Sequence, residues 1–345
     1  MIGAVLLVGV RKRRRRSMDV SDDAAYVATL TRLSENSVHR SFNPYTDIDW
    51  AAPEFAVTPN DPRWVLAATD PLGQHPWYRA QPLEKQIAIG MWRQANMAKV
   101  GVQFESILVR GLMQYTFRVP NGSPEYRYCL HEAIEECNHT LMFQELVNRI
   151  RDDVPGMPRW LRSVSPLVSL GSGTLSNTFF FGVLAGEVPF DHMQKAVLRE
   201  GTLVHPIVAN VIAIHVAEEA RHISFADEYL RKRVPRTWWI NRFLLSLYVP
   251  AVMRLLSQAM VVPPRSFFRM FGIPRSVRRA LFSGTPSSRQ ALRDMFADIR
   301  MLCHELGLMN PIALAMWRIC RLDGRPSRYR GEPQRAQLPA RASSR

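Results

Sequence analysis

Two short motifs combine glutamate with histidine, and both are doubled on the acidic side. Residues 135–139 read EECNH and residues 218–222 read EEARH. In each motif the second glutamate lies three residues before the histidine, so on a helix the two side chains share one face. Two such helices facing each other, together with one glutamate from each of two further helices, form a carboxylate-bridged site for two metal ions. The motifs therefore predict a helical bundle around a metal centre.

Each motif follows a further glutamate at almost the same distance. Glu105 lies 31 residues before Glu136, and Glu187 lies 32 residues before Glu219. Each half of this region thus reads as a helix with one glutamate, a turn, and a helix with a Glu-x-x-His motif. Two such halves packed antiparallel predict a ferritin-like four-helix bundle with pseudo-twofold symmetry about the metals.

Apolar neighbours predict that the motifs are buried. Ile134 and Leu141 flank the first motif, and Ile212 and Ile214 precede the second. Burying so many charges is costly unless something compensates them, and two divalent cations would do so. Carboxylate oxygen and imidazole nitrogen without thiolate suit iron or manganese better than structural zinc. We expect two iron ions, with manganese as the alternative.

The first glutamate of each motif is a candidate to orient a ligand. Glu135 and Glu218 each lie one turn before a histidine of the same helix, His139 and His222 respectively. A metal-bound histidine needs its second ring N–H held by an acceptor. Arg221 could balance the charge of these two carboxylates. The alternative for all three is a solvated helix face.

Other acidic, histidine and aromatic residues receive weaker interpretations. Glu132 shares the face of Glu136 and could compete for a metal ion, whereas Glu84 lies near the start of its helix, far from a site at mid-bundle. We read His131 as a packing residue or as one that supports a metal ligand. We read His205, which precedes a proline, as part of a helix cap. The run 179–181 (FFF) is read as core, part of which could line a substrate cavity.

Proline and glycine divide the chain into helical segments. Residues 18–82 read as an irregular or short-helical lead-in because proline recurs throughout. No stretch alternates like a strand for more than a few residues, so the fold class is all-α, a four-helix bundle with additional flanking helices. The predicted helices are 83–117, 125–151, 166–188 (ended or kinked by Pro189), 204–233, 236–261 (bent or split by Pro250) and 286–320 (bent or split by Pro311).

The formal net charge of +15 is concentrated at the chain ends. Residues 11–16 carry six basic side chains, and residues 321–345 carry seven arginines against two acidic residues. We expect 1–17 and 321–345 to be disordered and 18–320 to form one domain, with the metal-site core at about 83–233. The body is then nearly neutral, which argues against specific nucleic-acid binding.

The location of the protein follows from its composition. The apolar run 2–10 is too short to span a bilayer, and its basic cluster follows it, unlike that of a secretory signal. A membrane-surface anchor and a true translation start at Met18 are the alternatives for this segment. The four cysteines form no C-x-x-C pair, as expected for reduced thiols. We expect a cytoplasmic protein.

Over about residues 75–232 the chain resembles the AurF-like N-oxygenases, the p-aminobenzoate N-oxygenase family of di-iron proteins. The most specific element is His215, four residues before Glu219, because most ferritin-like proteins have only the two Glu-x-x-His histidines. The resemblance is carried by His75-Pro76, Gly90-Met91-Trp92, Phe104-Glu105, the motif from Glu136 to His139 followed by Thr140, Gly186-Glu187, and His215 with Glu219 and His222. It implies seven metal ligands: Glu105, Glu136, His139, Glu187, His215, Glu219 and His222.

The resemblance implies an enzyme that reduces O₂ at two ferrous ions to a peroxo-type intermediate and passes oxygen to an aromatic amine. It also implies an external electron donor such as a reductase, and we expect a homodimer. Gly101 lies one turn before Glu105, where a carboxylate-binding arginine would be useful, and Lys99 points elsewhere. An amine other than free p-aminobenzoate, a carrier-bound substrate and C–H hydroxylation all remain open.

Two other classes of protein compete with the oxygenase. A ferritin-like protein would oxidise or store iron itself, although storage proteins are shorter single bundles. A bundle that has lost its metal could serve as an interaction module, although all seven ligand types are intact. Two irons per chain, many per assembly, or none would distinguish the three.

Overall fold

The computed structural model describes residues 23–151, 153–201, 204–281 and 285–326, which contain helices and turns but no strand. The basic run 11–16 and the tail beyond 326 lie outside the described residues. The four cysteines are free. In chain order the helices are α1 (23–39), α2 (Pro76–Arg79), α3 (Leu83–Thr116), α4 (Pro124–Ile150), α5 (Arg159–Gly171), α6 (Ser176–Leu198), α7 (Pro206–Arg233), α8 (Trp239–Val261), α9 (Arg265–Met270), α10 (Arg275–Arg279), α11 (Pro286–Met295), α12 (Ala297–Glu305) and α13 (Pro311–Ile319).

Four long helices form the bundle, and the all-α prediction is confirmed. Helix α3 packs along α4, α6 packs along α7, and the two pairs meet through α3 with α6 and α4 with α7. The turn between α3 and α4 contains Gly122 at φ 77°, a left-handed conformation that glycine adopts without steric cost. Helices α4 and α7 both begin with proline, where the missing N–H has no helical partner to lose.

The third predicted helix is wrong in both bounds. The segment predicted as 166–188 is instead two helices, α5 and α6, separated at residues 172–175. Helix α6 continues through Pro189 to Leu198. Proline costs the backbone one hydrogen bond there, but the following turns bury Phe190 and Gln194, and this packing maintains the helix.

The predictions 83–117, 125–151, 204–233 and 236–261 are close to the bounds of α3, α4, α7 and α8. Pro250 lies inside α8 without splitting it, whereas the predicted helix 286–320 is three helices, one of which begins at Pro311. The lead-in contains α1, which the sequence reading did not separate from its surroundings.

Two apolar clusters fill the bundle, one towards each end. On α3 the first cluster ends at Phe104 and the second begins at Leu108. On α7 the first cluster ends at Ile214 and the second begins at Phe225. The predicted metal ligands of both helices lie in the gaps between the clusters, so a polar layer separates two apolar cores.

The packed structure extends past the predicted domain end at 320. The Leu322 side chain is fully buried, and its carbonyl accepts a hydrogen bond of 2.8 Å from Arg300 Nη1. Asp323 forms an ion pair of 3.0 Å with Arg293. Leu322 and Asp323 therefore pack against α12 and α11, past the predicted domain end.

One stretch, Trp239–Met270, is long and apolar enough to cross a membrane by length and composition, with a mean hydropathy of 1.5. This is weak evidence, because the core helix of a soluble protein passes the same test. Val249 and Met253 of this stretch are fully buried.

The extension of the domain can be tested with a pair of alanine variants. Leu322→Ala should lower the free energy of unfolding by about 2–5 kcal/mol, because it leaves a cavity in the core. Ile319→Ala is the control: its side chain is 73% exposed, and the change should be within about 0.5 kcal/mol. Urea denaturation measures both. Equal values would show that residues 321–326 do not pack as described.

Candidate metal centre

The seven side chains that the resemblance implies as ligands all lie inside the bundle. Each is at most 2% exposed. Helix α3 contributes Glu105, α4 contributes Glu136 and His139, α6 contributes Glu187, and α7 contributes His215, Glu219 and His222. The antiparallel pairing of the helices thus brings together residues from four separate parts of the chain.

One group of four side chains offers ligand atoms that all lie within 4.8 Å of one another: Glu136, His139, Glu219 and His222. His222 Nδ1 is 2.7 Å from Glu136 Oε1 and 3.6 Å from Glu219 Oε1. His139 Nδ1 is 3.0 Å from Glu136 Oε2. Two carboxylates and two imidazole nitrogens converging in this way are the donor set of a divalent transition metal.

A second group shares Glu219 with the first. Glu105, His215 and Glu219 offer ligand atoms within 4.8 Å of one another. His215 Nε2 is 3.1 Å from Glu219 Oε1 and 3.5 Å from Glu105 Oε1. A carboxylate common to two groups is placed to bridge two ions.

Two more carboxylates lie in the same layer outside these groups. Glu187 is 2% exposed and Glu132 is fully buried, and neither carboxylate oxygen of either residue has a hydrogen-bond partner. Each feels the charges of Glu136 and Glu219. Glu132 is thus available to compete for a metal ion, as the sequence predicts.

Unpaired polar atoms are the best test of whether metal ions fit here. Buried carboxylates are almost always hydrogen-bonded. Four carboxylate oxygens of the two groups have no hydrogen-bond partner: both of Glu219, one of Glu105 and one of Glu136. His222 Nδ1 also has no hydrogen-bond partner. His222 Nδ1 and Glu136 Oε1 are close enough to bond but are not aligned to do so. Metal ions would satisfy these lone pairs, so the residues fit a di-metal centre.

The first glutamate of each motif, Glu135 or Glu218, holds the histidine of the facing helix and not that of its own helix. His139 Nε2 is 2.8 Å from Glu218 Oε2, and His222 Nε2 is 2.7 Å from Glu135 Oε2. The sequence prediction paired each glutamate with the histidine of its own helix, and that pairing is wrong. A side chain four residues away points along the helix surface, whereas the facing helix presents its carboxylate directly to the ring. Each motif therefore orients the histidine of the other.

Arg221 joins the two orienting carboxylates. Its Nη2 lies 2.7 Å from Glu135 Oε1 and 3.3 Å from Glu218 Oε1. The backbone N–H of Phe42 also donates to Glu218 Oε1 at 3.1 Å. The charge-balancing interpretation of Arg221 agrees with this geometry, and the solvated-face alternative does not, because all three side chains are buried.

The sequence reading missed Gln194, which orients the third histidine. His215 Nδ1 is 2.7 Å from Gln194 Oε1. An amide oxygen accepts a hydrogen bond and cannot donate one, so Nδ1 carries the proton and Nε2 presents its lone pair to Glu105 and Glu219. Gln194 lies seven residues after Glu187, two turns along the same face of α6, and this spacing was the available signal.

The electrostatics of the layer follow from burial and crowding. Burial, and then repulsion by neighbouring carboxylates, raises the pKa of Glu105 and Glu187 well above the usual range. Burial opposes ionisation of Glu136 too, but the nearby His222 and His139 hold its pKa well below its usual range. Burial and the charge of His139 lower the pKa of His215, which keeps this ring neutral. Metal binding would displace protons from the carboxyls whose pKa is raised.

The weaker sequence interpretations can now be placed. Glu84 is exposed near the start of α3, away from the site. His131 is half-buried beside Arg127. His205 caps α7 by accepting from the N–H of Ile207. The run 179–181 belongs to the apolar core on the α1 side of the layer.

The cross-bundle pairing predicts that the orienting glutamates support metal binding. Replacing either Glu218 or Glu135 by alanine should weaken metal affinity about 10–100-fold, because the ring of the facing histidine is no longer held. Glu145→Ala is the control, since that carboxylate pairs with Arg149 at the surface of α4. Competition with a metal-binding dye measures the affinities. If both variants bind like the control, the two glutamates have no such role.

Comparison with known proteins identifies the family of this chain. The family model for p-aminobenzoate N-oxygenase AurF matches residues 23–307, well beyond the segment whose motifs carry the resemblance. The uncharacterized protein Mb0909 of Mycobacterium bovis and the uncharacterized protein Rv0885 of Mycobacterium tuberculosis strain H37Rv are each 68% identical to this chain over 329 residues. The alignment covers 95% of this chain and 97% of each relative. The chain therefore belongs to the AurF family of di-iron oxygenases.

Proposed function

We propose that this protein is an O₂-dependent di-iron monooxygenase that oxygenates the nitrogen of an aromatic amine. The main support is the buried layer of carboxylates and histidines whose ligand atoms lack hydrogen-bond partners, in a chain of the AurF family. The iron-storage alternative offers no reason for a third histidine held by its own glutamine, whereas an oxygenase needs its coordination held in one arrangement.

The proposed ligands divide between two ions. Glu136, His139, Glu219 and His222 would hold one ion, and Glu105 and His215 would hold the other together with the shared Glu219. Glu187 faces the same layer and completes the set of seven. Two ferrous ions bound there would supply electrons for the reduction of O₂. An external donor, which we expect to be a reductase, would return the ions to the ferrous state.

The protein's own part begins with the protons on the histidines. Glu218 accepts from the Nε2–H of His139, and Glu135 accepts from the Nε2–H of His222, which leaves each Nδ1 free to bind metal. Gln194 accepts from the Nδ1–H of His215, which leaves Nε2 free. Three fixed ring orientations define the coordination before substrate arrives.

Aromatic side chains border the layer on one side. The ring centroid of Phe143 lies 4.8 Å from that of His215, and the ring centroid of Phe190 lies 5.7 Å from it. Gly101 makes room for Phe143, since a Cβ there would lie 2.8 Å from the ring. This apolar wall excludes water and favours a flat, uncharged ring over a polar substrate.

The nearby basic groups of α3 are already engaged. Lys99 Nζ donates to Gln144 Oε1 at 2.6 Å, and Arg110 donates to the Ser106 carbonyl at 2.8 Å. Arg221 is committed to Glu135 and Glu218. A free carboxylate on the substrate would therefore lose its hydration without gaining a partner. We infer a substrate amine without a free carboxylate beside its ring.

Iron content tests the metal half of the proposal. The protein loaded anaerobically with Fe(II) should bind two ions per chain, and Glu136→Ala and Glu219→Ala should each lose stoichiometric iron, because they remove central ligands. Glu145→Ala should bind as the unmodified protein does. Metal analysis after gel filtration measures this. Many irons per assembly would favour the storage alternative, and two irons in both ligand variants would contradict the assignment.

A matched pair of amines tests the substrate half. In a single turnover with O₂, methyl 4-aminobenzoate should be N-oxygenated at least ten times faster than p-aminobenzoate, since a penalty of about 1.4 kcal/mol for burying the unpaired carboxylate is a factor of ten. Product mass and fragmentation identify the oxygenated atom. Efficient conversion of p-aminobenzoate would contradict the inferred substrate class. A product hydroxylated on carbon, with the amine intact, would contradict the inferred reaction.

A further inference from the structure

A large cavity of about 1390 Å³ lies away from the proposed ligands, where the end of α8 meets α9, α10 and α11. Residues 71–76, which lead into the first residue of α2, line another side. None of the seven proposed metal ligands lines this cavity. Its volume exceeds the 300–1,000 Å³ typical of a pocket for one small molecule. The cavity is large enough for a ligand made of several linked groups, such as a sugar, a base and phosphates.

The lining is strongly basic. Six arginines line the cavity, and no aspartate or glutamate does so among the described residues. None of the six forms an ion pair with a carboxylate of the described chain. They are Arg254, Arg265, Arg269, Arg275, Arg278 and Arg279. So many guanidinium groups around one concave space create a strong positive potential, which an anion would relieve.

Two of these arginines, Arg254 and Arg278, are half-buried. Arg278 lies over the ring of Phe268, with its Cζ 5.2 Å from the ring centroid. Burial, and then the charge of Arg321, lowers the pKa of Arg254, so its positive charge is incompletely stabilised by the protein. Fixed guanidinium groups suit phosphate, because their N–H groups match its oxygens in pairs.

The remaining lining is apolar and hydroxylic. Val261, Val262, Phe268 and Leu281 form an apolar part of the wall. The hydroxyl-bearing residues at the start of α11 form another part: Thr285, Ser287 and Ser288. A ligand that fits therefore has a phosphorylated part for the arginines and a less polar part for the aliphatic wall.

We propose that this cavity binds a phosphorylated organic molecule of the size of a dinucleotide or of coenzyme A. The shared chemistry is a nucleoside diphosphate with a further phosphate on the ribose, which offers several negative charges at once. NADPH, a reductant, and a coenzyme A thioester, an activated form of a carboxylic acid, both have this chemistry. The proposal does not depend on the metal centre, because the cavity shares none of its proposed ligands.

A concave site favours a small molecule over a membrane or an acidic protein surface. Arg254 and Arg278 are half-buried in the wall, where a flat lipid surface would reach them poorly. The exposed arginines at the rim alone would suit any anion. Replacing Arg254 and Arg278 therefore distinguishes a small molecule bound in the cavity from a membrane or an acidic protein bound at its rim.

The test is equilibrium binding of NADPH, coenzyme A and inorganic pyrophosphate to the full chain by calorimetry at two salt concentrations. Two double variants remove lining charges: Arg254→Gln with Arg278→Gln, and Arg269→Gln with Arg275→Gln at exposed positions where folding should be unaffected. The control, Arg159→Gln with Arg162→Gln, removes the same charge from the exposed surface of α5. Thermal melting shows that each variant is folded.

NADPH or coenzyme A should bind in the micromolar range and compete with pyrophosphate. Both lining variants should weaken binding at least tenfold, and the control should stay within twofold of the unmodified chain. The tighter of the two ligands distinguishes a reductant site from a thioester site.

Binding weaker than about 1 mM for all three probes would overturn the proposal. An equal loss of binding in the control variant would also overturn it, because it would indicate non-specific attraction to basic segments. Arginine-dependent binding to anionic phosphatidylserine vesicles, with no binding of the soluble probes, would assign the surface to lipid instead.

Discussion

The structure depends on one electrostatic constraint: seven glutamates that are nearly inaccessible to water lie in a single layer of the bundle. They are Glu105, Glu132, Glu135, Glu136, Glu187, Glu218 and Glu219. In the layer described here, Arg221, His139 and His222 can oppose them with positive charge, whereas His215 stays neutral. This is too little positive charge for seven ionised carboxylates at neutral pH. Either several of these groups keep protons or divalent ions enter. The unpaired oxygens of Glu105, Glu187 and Glu219 favour the ions, since a protonated carboxyl would still need partners that the fold does not offer.

The bundle encloses the layer of buried carboxylates between two apolar cores, whose packing stabilises the fold despite the free-energy cost of burying charge. Each of the four long helices contributes apolar residues to one core, then its ligands, then apolar residues to the other core. The orienting carboxylates are paired reciprocally between the two halves, because Glu218 holds His139 and Glu135 holds His222. Arg221 forms ion pairs with both Glu135 and Glu218. Loss of Arg221 would therefore disturb the carboxylates that hold both histidines. Contacts between α4 and α7 thus hold His139 and His222, and rigid packing on each side preserves these contacts.

The described structure contains two charged sites of opposite sign, one in the bundle and one in the later helices. The acidic layer in the bundle core suits metal ions, while the arginine-lined cavity formed by the later helices suits phosphate. Helix α8 packs on α6, which contributes Glu187 and Gln194 to the acidic layer, and the end of α8 lines the basic cavity. The helices added to the four-helix bundle therefore do more than cover it. They build the second site, and they bury Leu322 at the edge of the domain.

Much of the metal centre could be predicted from the sequence, because its signal is local. Glutamate and histidine three apart share a helix face, and the matched intervals from Glu105 and Glu187 place four helices around one layer. The prediction of burial was right, but only half of its evidence was. Ile212 and Ile214 are buried, whereas Ile134 and Leu141 are 59% and 45% exposed, since they lie on a different face of α4 from the ligands. The role of Gln194, the crosswise pairing of Glu135 and Glu218, and the gathering of six arginines from α8, α9 and α10 were decided by tertiary structure. These depend on how each helix is rotated and shifted against its neighbours, and one sequence records the order of residues along a helix but not that rotation.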